Sequence, residues 1–173
     1  KDIDRLSFLI KETKELDIEV AAPDINFSYE GFAPEEISGN PAIRFGLKAI
    51  KNVGSNAVTA TIKERSRDGI FKTLEDFLTR IPYHDMNKKT MEALIKSGAL
   101  DRLGERARLL ENMETLLSYQ REASSQSARG QDSLFAFSGQ KFVSALRLKE
   151  APPAANEDKL RWEKELLGLF VSG

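Results

Sequence analysis

The sequence predicts a mainly α fold with one or two short strands and flanking helices. Three observations carry this. Apolar residues recur at three- and four-residue steps through most of the chain. Ser, Thr or Asn stands before several of those runs, and Gly or Pro stands after them. Alternation of apolar and polar residues, the mark of a half-buried strand, is confined to short stretches.

Ile3, Leu6, Leu9, Ile10, Thr13 and Leu16 form one stripe, which predicts a helix over 3–16. Asp17-Ile18-Glu19-Val20 alternates and predicts a short strand. Ala22-Pro23-Asp24 and the stretch 28–41 carry turn residues and few apolar ones, so both are expected to be loop. Residues 42–45 suit a brief strand. Residues 47–51 make a helical turn too short to be stable alone. Asn52-Val53-Gly54 is a turn signal, and Ser55 fits the N-cap of a helix with Val58, Thr61 and Ile62 on one face. Asp68-Gly69 ends that helix. Thr73 and Asp76 make a start resembling a capping box, followed by Leu74, Phe77, Leu78 and Ile81 and then Pro82. Asn87 caps the next helix, where Met91, Leu94 and Ile95 face inward and Gly98 suits the C′ position.

The pattern helix–turn–helix thus occurs twice. A longer helix is expected over roughly 105–122, on Leu109, Leu110, Met113, Leu116 and Leu117. The small polar residues 123–130 are expected to form a mobile loop, interrupted by two large apolar residues within 131–135. Residues 136–155 look irregular. Asn156 then caps a last helix carrying Leu160, Leu166, Leu167, Leu169 and Phe170. The expected segments are 1–40, 41–122, 123–155 and 156–173, with 41–122 as the compact part. A chain from Lys1 to Gly173 reads as a piece of a longer protein, with apolar surface at 169–171 left for an absent neighbour.

Composition removes several functions. With no Cys there is no disulfide framework, thiol nucleophile or thiolate metal site, and one His cannot build a His-ligand zinc cluster. No apolar run is long enough to span a membrane, and no secretion signal is visible. The net charge of −1 is a sum of unlike parts. Residues 1–40 hold 4 basic and 10 acidic side chains, residues 41–108 hold 14 and 8, and residues 109–173 hold 8 and 9. An anionic partner is therefore sought in the middle third.

The chemistry of that third lies in its first tight turn, a helix-hairpin-helix pattern. Gly54 has no side chain, so a phosphate can approach the backbone. The first amides of the following helix lack intrahelical acceptors, and the helix dipole adds positive character. Lys48 and Lys51 stand one turn upstream. Asn52, Val53, Gly54 and Ser55 complete a site that would grip DNA backbone without reading bases. The usual motif has glycine at both sides of the central apolar residue; here Asn52 takes the first, and Asn tolerates the left-handed conformation. The same three residues also suit a plain helix connection. Asn87, Lys88 and Lys89 repeat the geometry without the glycine, either as further phosphate contacts or as a packing partner. Arg102, Arg106 and Arg108 suit a solvated face.

The runs Ile43–Gly54, Phe71–Phe77 and Asn87–Asp101 together resemble the bacterial replicative DNA polymerase III alpha subunit family, of the DnaE type. Ile18–Asn26 is similar to the segment that closes the fingers in that family, and Trp162–Gly173 to the stretch before its OB domain. The resemblance implies that 1–40 is the end of the fingers, 41–122 a tandem helix-hairpin-helix domain, and 156–173 a helix leading to an OB domain. It also implies a clamp-binding peptide in the loop 123–155. Gln131, Asp132, Ser133, Leu134 and Phe135 fit its Gln-x-x-Leu-Phe pattern, with Leu134 and Phe135 each contributing about 1.5–3 kcal/mol if fully buried in a partner pocket. The same peptide could instead anchor the loop to the local core. An error-prone paralogue is expected to lack it, which points to the replicative form.

The partners so implied are double-stranded DNA, the beta sliding clamp and the rest of the polymerase III holoenzyme, in the cytoplasm and not at a membrane. No cofactor, metal or catalytic residue is expected, since the family's catalytic carboxylates lie upstream in its palm. Asp2 with Asp4 and Glu157 with Asp158 suit helix starts, and His84 suits a turn. Two other readings stay open: a hairpin-containing DNA glycosylase or nuclease, which would need a catalytic Asp or Lys beside the turn, and a purely structural connector.

Overall fold

Ser38 and Gly39 both take positive φ, 53° and 83°. That pair forms a two-residue turn of the kind that matches strand twist, and it folds residues 33–44 into a hairpin. In the computed structural model, which describes residues 18–130 and 145–172 (backbone alone over 127–130), β2 (Ala33–Ile37) runs antiparallel to β3 (Asn40–Arg44). β1 (Glu19–Ala21) lies parallel on the other side of β3, giving the order β1-β3-β2. The sheet therefore has three strands, and 28–41 is not all loop. Few apolar residues mark β2 because it is an edge strand whose side chains are half-buried or exposed. The Arg44–Glu35 ion pair at 2.7 Å fastens it to β3. The expected helix over 3–16 lies outside the described residues.

The mainly α expectation holds. A short 3-10 turn (Leu47–Ala49) leads to α1 (Ser55–Asp68) and α2 (Leu74–Arg80), and a second 3-10 turn (Tyr83–Asp85) leads to α3 (Lys88–Lys96). The caps of α2 and α3 follow the sequence. The Thr73 hydroxyl accepts from the Asp76 amide at 3.1 Å, and the Asp76 carboxylate accepts from the Lys72 amide at 3.0 Å. The Asn87 side chain accepts from the Thr90 amide at 2.9 Å. Gly98 closes α3 with φ 87°, in the left-handed region.

The expected single helix over 105–122 is two: α4 (Arg106–Glu111) and α5 (Met113–Gly130). Asn112 divides them. Its side-chain amide donates to the carbonyls of Arg108 and Lys149, and its side-chain oxygen accepts from the Lys149 amide at 2.8 Å. A polar side chain that serves a neighbouring segment interrupts the helical ladder. The expected loop at 123–130 is helix instead, as the end of α5. Ala123 is buried and the Ser124 hydroxyl accepts from the Tyr83 amide at 3.1 Å, so tertiary contact overrides the polar composition.

α6 (Asn156–Leu167) starts one residue earlier in cap terms than expected: Ala155 is the cap, with no side-chain bond, and Asn156 is the first helical residue. The core joins all of these pieces. Phe45, Phe71, Phe77, Leu78, Met91 and Leu94 are fully buried, and Ile25 from the first segment packs into the same cluster as Leu166, Leu167 and Leu169 from the last. Leu169 is thus covered, while Phe170 remains half exposed.

Buried charge fixes the last helix. Arg106 is 3 % exposed and is not part of a solvated face. Its guanidinium bonds Asp101 at 2.9 Å and Glu163 at 3.1 Å, and it donates to the Lys96 carbonyl. The second oxygen of Glu163 accepts from the amides of Val171 and Ser172. Burial alone would pull the guanidinium down, but Asp101 and Glu163 outweigh it and hold it above its ordinary value.

Candidate nucleic-acid interface

The first turn is built as follows. Asn52 takes φ 70°, one of two non-glycine residues with positive φ among the described residues. Asn is among the few residues that reach this conformation at low cost. The Val53 amide closes the turn onto the Ile50 carbonyl at 3.2 Å, and Val53 packs half-buried on the core. The Lys51 amide donates to the Leu166 carbonyl at 3.0 Å, and the Thr90 hydroxyl to the Asn52 carbonyl at 3.2 Å. The turn is thus held by α6 below and α3 beside it.

Gly54, rather than Ser55, is the N-cap of α1, and Ser55 is the first helical residue. No side chain caps this end, and no acid stands in its first turn. Ser55, Asn56 and Ala57 therefore keep backbone N–H groups without an intrahelical acceptor, at the positive end of a 14-residue helix. Gly54 itself has an ordinary φ of −76°, and a Cβ there would meet nothing within 4 Å. Its own fold does not require glycine at 54. What glycine provides is an open backbone toward solvent, where an anion can approach.

The four lysines divide into two kinds. Lys48 pairs with Glu30 at 2.8 Å, and Lys88 pairs with Glu114, all four side chains being exposed. The hydrogen bond and charge of Glu114 raise the Lys88 ammonium above its ordinary value and lower the Glu114 carboxyl below its own. Lys51 and Lys89 are exposed, and neither makes an ion pair among the described residues. The second turn differs in one further way: Asn87 spends its side chain on the Thr90 amide, so one of the free N–H groups of α3 is already bonded within the protein.

Two contacts that sequence reasoning missed position this site. Gly46 packs against Gly31 so closely that a Cβ at 46 would stand 2.4 Å from the Gly31 carbonyl carbon. The amides of Leu47 and Lys48 pair with the carbonyls of Tyr29 and Glu30 in the same place. The other is the Thr90–Asn52 bond. Residues 45–48 and 90 carried no signal for either, since a glycine before a helix and a threonine within one have many ordinary uses.

Other candidates find plain roles. His84 sits exposed in the 3-10 turn, 3.4 Å from Asp85. Glu157 and Asp158 stand in the first turn of α6. Among the described residues no three His, Asp or Glu side chains are grouped to hold a metal ion, and no helix is long and apolar enough to cross a membrane. Asp2, Asp4 and Gln131–Phe135 lie outside the described residues.

Comparison with known proteins agrees with this architecture. The family described as "Helix-hairpin-helix motif" matches residues 17–110. The chain is 42 % identical over 172 residues to the DNA polymerase III subunit alpha of Thermus aquaticus, covering 99 % of this chain and 13 % of that protein. It is 37 % identical over 179 residues to that of Deinococcus radiodurans, covering 100 % and 13 %. With the subunit of Borreliella burgdorferi the identity is 37 % over 173 residues, covering 98 % and 15 %. The chain spans about one seventh of the length of these curated relatives. The sheet, the paired turns and the open end of α1 therefore describe a chain that belongs to the helix-hairpin-helix motif family, in the form similar to one segment of the bacterial DNA polymerase III alpha subunits.

Proposed function

We propose that this chain is a non-catalytic module of a replicative DNA polymerase, which grips duplex DNA by its backbone and tethers the enzyme to the beta sliding clamp. The observation that carries the DNA part is the uncapped N-terminus of α1 behind Gly54, with Lys51 beside it. An end with free amides, no acid and no occluding side chain suits a phosphate oxygen. The first turn (Lys48, Lys51, Asn52, Val53, Gly54 and Ser55) forms the principal grip. At the second, Lys89 adds a phosphate contact, while Asn87 and Lys88 act mainly within the protein. Such contacts carry no sequence preference.

The clamp part rests on Gln131–Phe135 and on the relatives' printed name, DNA polymerase III subunit alpha. Two weak attachments on one chain raise effective concentration, which is the logic of staying on a template. Catalysis, cofactors and metals are assigned to the remainder of the polymerase.

A titration with blunt duplex DNA at several salt concentrations tests the grip. Affinity should be independent of sequence and fall with a log–log slope of about −0.9 per phosphate neutralised. A flat response would count against it. Replacing Leu134 and Phe135 by Ala should abolish binding to the sliding clamp and spare the duplex; retained clamp affinity would sink the tether.

A further inference from the structure

Phe27 and Tyr29 stand on the surface, 45 % and 61 % exposed, while Asn26 and Ser28 beside them are buried. This reverses the usual order, in which the aromatic side chain goes inside and the amide outside. The loop that does so is tightly held. The Asn26 amide donates to the Asp24 carboxylate and the Asp24 amide to the Ser28 hydroxyl. The Ser28 hydroxyl donates to the Phe45 carbonyl at 2.7 Å. Asn26 and Phe71 exchange two hydrogen bonds, at 2.9 Å and 2.8 Å. The two rings are therefore presented by a fixed backbone.

Each ring carries a guanidinium. That of Arg102 lies 4.8 Å from the Phe27 centroid, and that of Arg65 lies 5.7 Å from the Tyr29 centroid. Both arginines are anchored, Arg102 by Asp24 and Arg65 by the Ile25 carbonyl at 2.9 Å. Next to Arg102 a cavity of about 320 Å³ is lined by Lys72, Arg102 and Arg108, by Glu75 as its one acid, and by Leu74, Leu103, Leu146 and Leu148. Arg108 also reaches the exposed Glu150. Arg65 stands ten residues after Ser55 in α1, about 15 Å along the helix axis. The Arg65 side of the face is thus set apart from the free amides behind Gly54, while the backbone of Tyr29 adjoins Leu47 beside the grip.

We propose that this face binds unpaired DNA, with bases stacked on Phe27 and Tyr29 and the backbone held chiefly by Lys72, which has no ion pair among the described residues, next to the carboxylate-paired Arg102 and Arg108. A duplex hides the faces of its bases, whereas an unpaired strand offers them to an exposed ring. At the rings themselves a cation flanks each aromatic side chain, which complements alternating base and phosphate. Ring and cation together are the elements of single-strand platforms.

The test measures the anisotropy of a labelled oligo-dT strand and of a labelled blunt duplex against the 173-residue chain. Phe27→Ala and Tyr29→Ala should each weaken single-strand binding about tenfold and leave duplex binding unchanged. Phe27→Leu keeps apolar bulk without a π face and should weaken it likewise, while circular dichroism shows the variants folded. Lys51→Ala should do the reverse, so failure here and failure of the duplex grip are separate results. Absence of single-strand binding, equal loss on both DNAs, or full affinity in Phe27→Leu would each overturn the proposal.

Discussion

The Thr90 hydroxyl donates to the Asn52 carbonyl at 3.2 Å, across 38 residues of sequence. The helix that follows the second turn thereby holds the strained residue of the first. The two hairpins are one device at this point: α3 sets the shape of the loop that presents Gly54. Thr90→Val keeps the size of the side chain and removes the bond. It should lower stability by about 1 kcal/mol, read as a shifted denaturant midpoint with unchanged slope. Asn52→Val should cost about 1–2 kcal/mol, because a β-branched residue is disfavoured at positive φ. Unaltered stability in both would show that the turn is held elsewhere.

The two kinds of lysine should separate in salt titrations. Lys51 and Lys89 have no ion pair among the described residues, whereas Lys48 and Lys88 already face carboxylates. Lys51→Ala and Lys89→Ala should each reduce the salt slope of duplex binding by about one. Lys48→Ala and Lys88→Ala should change it less, since each releases a carboxylate as well as a cation. Four equal changes would remove the distinction.

Arg106 and Glu163 form the buried ion pair on which α6 hangs. Arg106→Met removes the cation and leaves Glu163, 0 % exposed, as an uncompensated charge. A loss of about 3–5 kcal/mol is expected. The double variant Arg106→Met with Glu163→Met should recover much of it. Thermal unfolding of the single and double variants decides, and a double variant no better than the single one would rule out the pairing.

Glu105 supplies a pH-dependent share of stability. Burial alone would raise its carboxyl, but the amides of Ala154, Arg108 and Ala107 outweigh this and hold it below its ordinary 4.5. A carboxyl depressed in the folded state stabilises the fold above the unfolded value and loses that contribution as pH falls through the folded one. The stability gap between the natural chain and Glu105→Gln should therefore be full near pH 6 and close below about pH 4.5. A gap that is constant with pH would exclude this role.

The helices around the turns were legible because their caps and stripes act locally: Thr73, Asn87, Gly98 and the apolar face of α3 each state their role within four residues. Asn52 was legible for the same reason. What could not be read is set by distant partners. Arg106 looks like any surface arginine until Glu163 arrives from 57 residues away. Residues 123–130 have a loop's composition and are helix, with Ala123 buried in the protein and Ser124 bonded to Tyr83. The hairpin of β2 and β3 did leave a signal, Ser38-Gly39, but the strand it served is too polar to show as a strand. At the candidate site the turn and its lysines were found; which lysines are already neutralised depends on Glu30 and Glu114, and no spacing rule reaches those.

The contact between Gly46 and Gly31 has an uneven consequence for mutational drift. A methyl group added at 46 would strike the backbone of residue 31, while one added at 31 meets nothing within 4 Å. Both positions hold the same residue, yet one is fixed by its neighbour and the other is free. In a saturation library, position 31 should accept most side chains and position 46 almost none, since any substitution there pushes the aromatic loop away from the first hairpin.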